Sequence, residues 1–146
     1  MEQLRQNRLK CWIKDIGRSK IMLDRRYYKG YEGEGELRVW SDCHGHKRGM
    51  VIWIGYFETI LEGCFNSKFE RKGIIECYYN QDGFYDGKWE MQYPYVVLKE
   101  LKAFSENKLH IRDREMIDKT KKIIVEIISL INAAIANEGD IYIEYE

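Results

Sequence analysis

The sequence contains one proline and no apolar run long enough to cross a bilayer. A membrane-spanning helix needs roughly 20 predominantly apolar residues, and every apolar stretch here is interrupted well before that length. The opening segment MEQLRQNRLK also lacks the apolar centre of a secretory signal. We therefore expect a cytoplasmic protein that does not contact a membrane.

The sequence also lacks an excess of charge of either sign, because 24 lysines and arginines balance 24 aspartates and glutamates. This balance disfavours a dedicated nucleic-acid-binding protein of the strongly basic kind. The charges are unevenly distributed, since cations dominate the first thirty residues whereas the last nine contain four carboxylates and no cation. One end of the sequence is basic and the other is acidic.

The four cysteines, Cys11, Cys43, Cys64 and Cys77, show no CxxC spacing. Without an export signal, the chain is expected to remain in a reducing compartment. We interpret the four as reduced thiols with mostly structural roles.

The length of 146 residues is typical of one domain, so we expect residues 1–146 to form a single unit. Apolar residues at helical spacing, Leu9, Trp12, Ile13 and Ile16, predict a short N-terminal helix with a cationic outer face. Beyond Lys20, aromatic and β-branched runs alternate with glycine-containing turns, which is typical of antiparallel strands. The predicted strands are 21–27, 36–41, 50–57, 73–79 and 84–91. The last two form a hairpin around the turn 81–83, and the ambiguous segment 57–65 is assigned as strand.

The C-terminal part of the sequence predicts two helices and a final strand. Pro94 suits the first turn of a helix over 95–104, and Asp113 suits the N-cap of a long helix that ends near Asn137 and carries a wide isoleucine stripe. The final DIYIEYE alternates apolar and polar residues as a half-buried strand does. The sequence therefore predicts an α+β domain, with an antiparallel sheet of about five to seven strands packed against a long C-terminal helix.

The segment SDCHGHKRG concentrates reactive side chains in one loop. Cys43, His44 and His46, with Asp42, are chemically suitable zinc ligands. A structural zinc site usually needs four ligands with a second ligand pair elsewhere, and that pattern is missing. We interpret the segment as a polar hairpin loop and expect no metal.

A catalytic interpretation of the same loop makes His44 or His46 a general acid or base, with Lys47 or Arg48 steadying a phosphate. Histidines two residues apart on a loop need not converge on one substrate atom. We therefore expect no enzymatic activity, and a small phosphoesterase or ribonuclease using these histidines remains the alternative.

Tyrosine, tryptophan and carboxylates are unusually dense in ECYYNQDGFYDGKWEMQYPY and in the terminal DIYIEYE. Aromatic rings provide contact area at small entropic cost, and neighbouring carboxylates steer a cationic partner. These segments predict a partner-binding surface. Its candidate residues are Tyr79, Asp82, Tyr85, Asp86, Glu138, Asp140, Tyr142 and Glu144.

A small, aromatic-rich α+β domain without an active-site motif resembles, in general type, the immunity proteins of bacterial toxin systems such as contact-dependent growth inhibition. The resemblance covers the whole chain and includes no signature motif. It implies a non-catalytic antitoxin, without a cofactor, that binds one cognate toxin domain, commonly a nuclease, and occludes its basic active site. A third possibility is an RNA-binding module that uses the N-terminal cations, with Trp12 or Tyr27 for stacking.

Overall fold

The fold is described from a computed structural model, for residues 21–66, 72–80 and 87–145. The predicted N-terminal helix and the predicted turn at 81–83 lie outside these residues. Within them the chain forms five strands and four α-helices. The strands are β1 (Met22–Tyr27), β2 (Glu36–Cys43), β3 (His46–Trp53), β4 (Trp89–Glu90) and β5 (Asp140–Tyr145). The helices are α1 (Ile54–Cys64), α2 (Ile74–Asn80), α3 (Pro94–Lys102) and α4 (Arg114–Ala136).

The strands form one mixed sheet in the order β1-β3-β2-β5-β4. β2 pairs antiparallel with β3 and β5, and β4 pairs antiparallel with β5, whereas β1 runs parallel to β3. The parallel pair arises because β3 enters the sheet between β1 and β2. The predicted α+β class, with its long C-terminal helix and C-terminal strand, is confirmed. Among the described strands, the parallel pairing of β1 is the departure from an antiparallel sheet.

Helix α1 corrects the prediction of strand for 57–65, and the strand predicted over 50–57 ends at Trp53. The buried positions of α1 include Phe57, Ile60, Leu61 and Cys64, which repeat at helical rather than alternating spacing. Thr59, Leu61 and Gly63 also alternate as a strand would, but this alternation does not decide the structure. The helical spacing of the larger side chains decides the structure, since these side chains fill the core.

Helix α2 corrects the strand predicted over 73–79, and with it the predicted hairpin to 84–91. Of the second predicted strand, Trp89–Glu90 pairs with β5, while residues 81–86 lie outside the described part. The helix starts where the buried carboxylate of Glu100, on α3, accepts hydrogen bonds from the N–H groups of Ile74 (2.8 Å) and Ile75 (3.5 Å). A carboxylate at this position satisfies N–H groups that a helix start leaves unpaired.

The predictions for the C-terminal part are confirmed. Pro94 begins α3, and the Asp113 side chain caps α4 by accepting from the N–H groups of Glu115 (3.0 Å) and Met116 (3.4 Å). The buried face of α4 carries the isoleucine stripe. None of the described helices has the length and apolar character needed to cross a membrane.

The core lies between α4 and one face of the sheet, called here the inner face. Leu37 and Val39 of β2 pair in register with Ile52 and Met50 of β3, and all four are buried. The alternate residues of each strand therefore lie on the opposite side, the outer face. That side carries the tyrosine and carboxylates of β5.

Candidate functional site

The SDCHGHKRG segment forms a tight β-hairpin between β2 and β3. The strands extend to Cys43 and His46, which pair directly, so the turn consists of His44 and Gly45 alone. Both turn residues have positive φ, 56° for His44 and 88° for Gly45, as a type I′ hairpin turn requires. The predicted hairpin is present, and its turn is shorter than the stretch between the predicted strands 36–41 and 50–57.

Two of the reactive side chains of this hairpin, His44 and Asp42, have structural contacts. His44 Nε2 donates to the backbone carbonyl of Asn137 at the end of α4 (3.1 Å), and Asp42 Oδ1 accepts from the N–H of Gly45 (2.8 Å). Among the described residues, no group of three histidines, cysteines or carboxylates is placed to hold a metal ion. The hairpin is thus fastened to the helix end by His44, one of the two histidines that the catalytic alternative could use.

The three described cysteines, Cys43, Cys64 and Cys77, are free. Burial raises the pKa of both the Cys64 and the Cys77 thiol to about 12. A nucleophilic cysteine needs a lowered rather than a raised pKa. These two buried residues are core side chains, as their place in the hydrophobic cluster also shows.

An aromatic and acidic surface lies on the outer face, where β2, β5 and β4 are neighbours. We call it the Tyr142 face and define it by the following seven residues: Trp40, Asp42, Lys88, Glu90, Asp140, Tyr142 and Glu144. The register places Trp40 opposite Tyr142, Asp42 opposite Asp140, and Glu90 opposite Tyr142.

The centre of the Tyr142 face is a pair of stacked rings. The ring centroids of Trp40 and Tyr142 are 4.5 Å apart, with an angle of 30° between the planes. Trp40 Nε1 donates to Glu144 Oε1 (3.1 Å), which fixes the indole in its plane. Trp40 is 4% exposed, whereas Tyr142 and Glu144 are half-buried.

Gly49 of β3 pairs directly with Trp40 of β2, on the strand neighbour opposite to β5. A Cβ atom at Gly49 would collide with the backbone of Val39 and Trp40. The glycine therefore permits the close approach of β3 to the strand that carries the indole.

Two lysines accompany the rings. Lys88 Nζ lies 4.6 Å from the centroid of the Tyr142 ring and 5.4 Å from that of Trp40, and Lys47 Nζ lies 5.8 Å from that of Trp40. These distances are within the range of cation–π contacts. Neither ammonium group forms an ion pair within the described part of the chain.

The carboxylates of the Tyr142 face outnumber its lysines. Burial raises the pKa of the Tyr142 hydroxyl, and the negative charges of Glu90, Asp140 and Asp42 raise it further. Asp140 and Glu90 are exposed, and neither is neutralised by an ion pair with a described residue. The face therefore has a negative rim around an aromatic centre in which Tyr142 is half-buried and Trp40 is buried.

The structure brings together three of the eight predicted contact residues, Asp140, Tyr142 and Glu144. Glu138 is exposed in the turn before β5, with φ of 53°. Tyr79 is 62% exposed on α2, where it packs edge-on against Tyr78. The remaining three, Asp82, Tyr85 and Asp86, lie outside the described residues.

Sequence reasoning missed Trp40, Asp42, Lys88 and Glu90 as members of this surface. Trp40 and Asp42 precede β5 by about a hundred residues, and only the pairing of β2 with β5 makes them neighbours. The alternation of Arg38, Trp40 and Asp42 with buried residues was an available signal for their shared face. It gave no indication of the strand beside them.

A second concave region lies beside β1. It is an open groove of about 560 Å³ lined by residues of β1 and of the segment that follows it. Its lining has three cations and three carboxylates, and two pairs of them form ion pairs, Arg25 with Glu36 (2.8 Å) and Arg26 with Asp24 (2.7 Å). This groove presents no unbalanced set of ligand-binding groups.

Comparison with known proteins adds no relative: no family model, no curated protein and no solved structure matches the chain.

Proposed function

We propose that this chain is a non-catalytic binding protein that uses the Tyr142 face to hold a cationic surface of a partner protein. In its most specific form, the proposal is that of a cytoplasmic immunity protein that neutralises a cognate toxin domain by covering a basic active site.

The observation that carries the proposal is the pairing of Asp42 with Asp140. These residues lie directly opposite each other on neighbouring strands of the outer face. Like charges in this position destabilise a sheet, and no described lysine or arginine forms an ion pair with either of them. On its other side Asp42 stands opposite Lys47 of β3, which forms no ion pair with it. A cationic side chain of a partner would relieve the repulsion that remains between the two aspartates, so binding gains energy that the free chain has lost.

The neighbouring groups suit such a partner. The half-buried Tyr142 ring, which stacks on Trp40, supplies aromatic contact area, and Glu90 adds an exposed carboxylate opposite Tyr142. Tyrosine and tryptophan are frequent in the residues that dominate binding energy at interfaces. Complementary charge increases the association rate and helps to reject wrong partners.

The proposal also accounts for the histidine-containing hairpin without chemistry. The contact from His44 to Asn137 fixes the end of α4 against β2 and β3, close to the position where Gly139 leads into β5. The hairpin thereby helps to hold Asp42 and Asp140 in register.

The test is affinity capture of the tagged full chain from its native cell lysate at low and at high salt. We expect one basic protein at a ratio near one to one, with less retained at high salt, because exposed charge pairs are screened. Added at equimolar amounts, the chain should inhibit the activity of the captured protein. Recovery of the chain alone, or with bound RNA or metal, would contradict the proposal.

A further inference from the structure

The ring pair of the Tyr142 face carries a cation of the chain's own. Lys88 Nζ is 4.6 Å from the Tyr142 centroid and 5.4 Å from that of Trp40, so one ammonium group contacts both rings. The side chain of Lys88 is exposed. Lys88 immediately precedes β4, so it reaches the rings from the side of β5 opposite to β2.

Lys88 has no stronger contact that would fix it there. No ion pair or hydrogen bond joins its ammonium group to a described residue, although Glu90 and Glu144 are near in register. An exposed cation–π contact is weak compared with one that is removed from water. The residue before it, Gly87, has φ of 111°, a conformation natural to glycine. Lys88 is therefore a displaceable occupant.

We propose that the Tyr142 ring, stacked on the buried indole of Trp40, is a binding site for an arginine side chain of the partner, which Lys88 occupies in the free chain and leaves when the partner binds. This inference rests on the proposed function and deepens it, because it names the chemical group that the face recognises.

Arginine suits the site better than lysine does. A guanidinium is planar, so it can stack on an aromatic ring while its N–H groups donate sideways to carboxylates. Two exposed carboxylates lie beside Tyr142. Asp140 is two residues earlier on β5, and Glu90 is directly opposite Tyr142 on β4. An ammonium group is a strongly hydrated point charge that cannot make the stacked contact.

The exchange also suits the charge of the site. In the free chain the Lys88 ammonium group lies over the Tyr142 ring, whose hydroxyl is under the negative charges of Glu90, Asp140 and Asp42. Displacement by an arginine leaves the ring pair occupied by a cation and frees the Lys88 ammonium for water. A partner without a suitably placed cation would either leave Lys88 in place or remove it without replacing its contact with the ring, so the arrangement also discriminates among partners.

The experiment is an NMR titration of the full ¹⁵N-labelled chain with N-acetyl-arginine amide, following the Trp40 indole N–H signal. N-acetyl-citrulline amide, which has nearly the same shape without the charge, is the ligand control. Lys88→Ala is compared with Lys122→Ala, which removes the same charge from an exposed position of α4 that makes no described contact.

We expect arginine amide to shift the Trp40 signal and citrulline amide to leave it in place. Lys88→Ala should tighten arginine binding about threefold to fivefold, because the variant removes a weak competing cation–π contact. Lys122→Ala should leave the affinity unchanged. Equal responses to both ligands, or equal affinities in wild type and Lys88→Ala, would overturn the inference. If that happens while the captured protein is still held through Asp42 and Asp140, the inference fails and the proposed function stands.

Discussion

Asp42 and Asp140 face each other across the β2–β5 ladder, and neither carboxylate is neutralised by an ion pair with a described residue. Asp42 does accept a hydrogen bond from the N–H of Gly45 in the hairpin turn. Asparagine at position 42 can keep that bond, because its side-chain carbonyl is also an acceptor. Substitution of either aspartate by asparagine therefore measures the electrostatic cost of the pair.

We predict that Asp140→Asn stabilises the protein by about 0.2–1 kcal/mol, because it removes a like-charge cross-strand pair. Urea unfolding at low salt measures the change, which should diminish at high salt as the repulsion is screened. Glu34→Gln is the control, since Glu34 is exposed in the loop before the opposite end of β2. A loss of stability in Asp140→Asn would contradict the claim that the pair is unfavourable in the free chain.

A second prediction concerns Glu100, whose buried carboxylate accepts from Ile74 and Ile75. We expect Glu100→Ala to lower the free energy of unfolding by about 2–3 kcal/mol, because it removes hydrogen bonds to a charged group and leaves buried N–H groups unpaired. Glu100→Gln keeps an acceptor and should lose less. Equal losses in the two variants would show that the carbonyl acceptor is not what starts α2.

The thiols give a third prediction. With a pKa of about 12, Cys64 and Cys77 should resist iodoacetamide at pH 8, where only ~10⁻⁴ of each would be thiolate. Half-exposed Cys43 should react much faster. Mass spectrometry of peptides locates the modified residues, and treatment in denaturant is the control, since all should then react. Rapid native labelling of Cys64 would contradict its burial.

The same thiols link stability to pH. Folding raises their pKa above the ordinary value of 9.0, so the folded state disfavours the thiolate. Their contribution is fully present below pH 9 and decreases as the pH rises from there towards 12. The double variant Cys64→Ala, Cys77→Ala should show a smaller loss of stability between pH 8 and pH 10 than wild type, by chemical unfolding. An identical loss would show that other groups account for it.

A fourth prediction addresses the backbone beneath the indole. Gly49→Ala should destabilise the protein by about 1–3 kcal/mol, because the added methyl group meets the backbone of Val39 and Trp40. Thermal unfolding measures the loss, and the Trp40 indole signal should shift as the ring moves. Unchanged stability would mean that β3 can move away from β2 without cost.

The sequence predicts elements well where local signals decide them. Asp113 caps α4, and the isoleucine stripe that follows it is long and regular, so both helix start and buried face are correctly predicted. The final strand follows from simple alternation, with Ile141 and Ile143 buried. In these segments, propensity, pattern and packing all favour the same structure.

The wrong predictions fall where tertiary contacts decide. The segment 73–79 has the aromatic and β-branched composition of a strand, yet it is helical and its first turn is capped by Glu100, which is 26 residues away. The Tyr142 face was predicted in part, since Asp140, Tyr142 and Glu144 alternate on one strand. Their neighbours Trp40 and Asp42 depend on strand order, which no local pattern contains.

The most direct test of the central claim compares capture of the basic partner by wild type, by Asp42→Asn/Asp140→Asn and by Glu34→Gln/Glu58→Gln. Both double variants remove two carboxylates, and Glu34 and Glu58 are exposed positions outside the Tyr142 face. We predict that the aspartate variant, although at least as stable as wild type, loses the partner at low salt, while the glutamate variant retains it. Equal retention by all three proteins would contradict the claim that the Tyr142 face binds the partner.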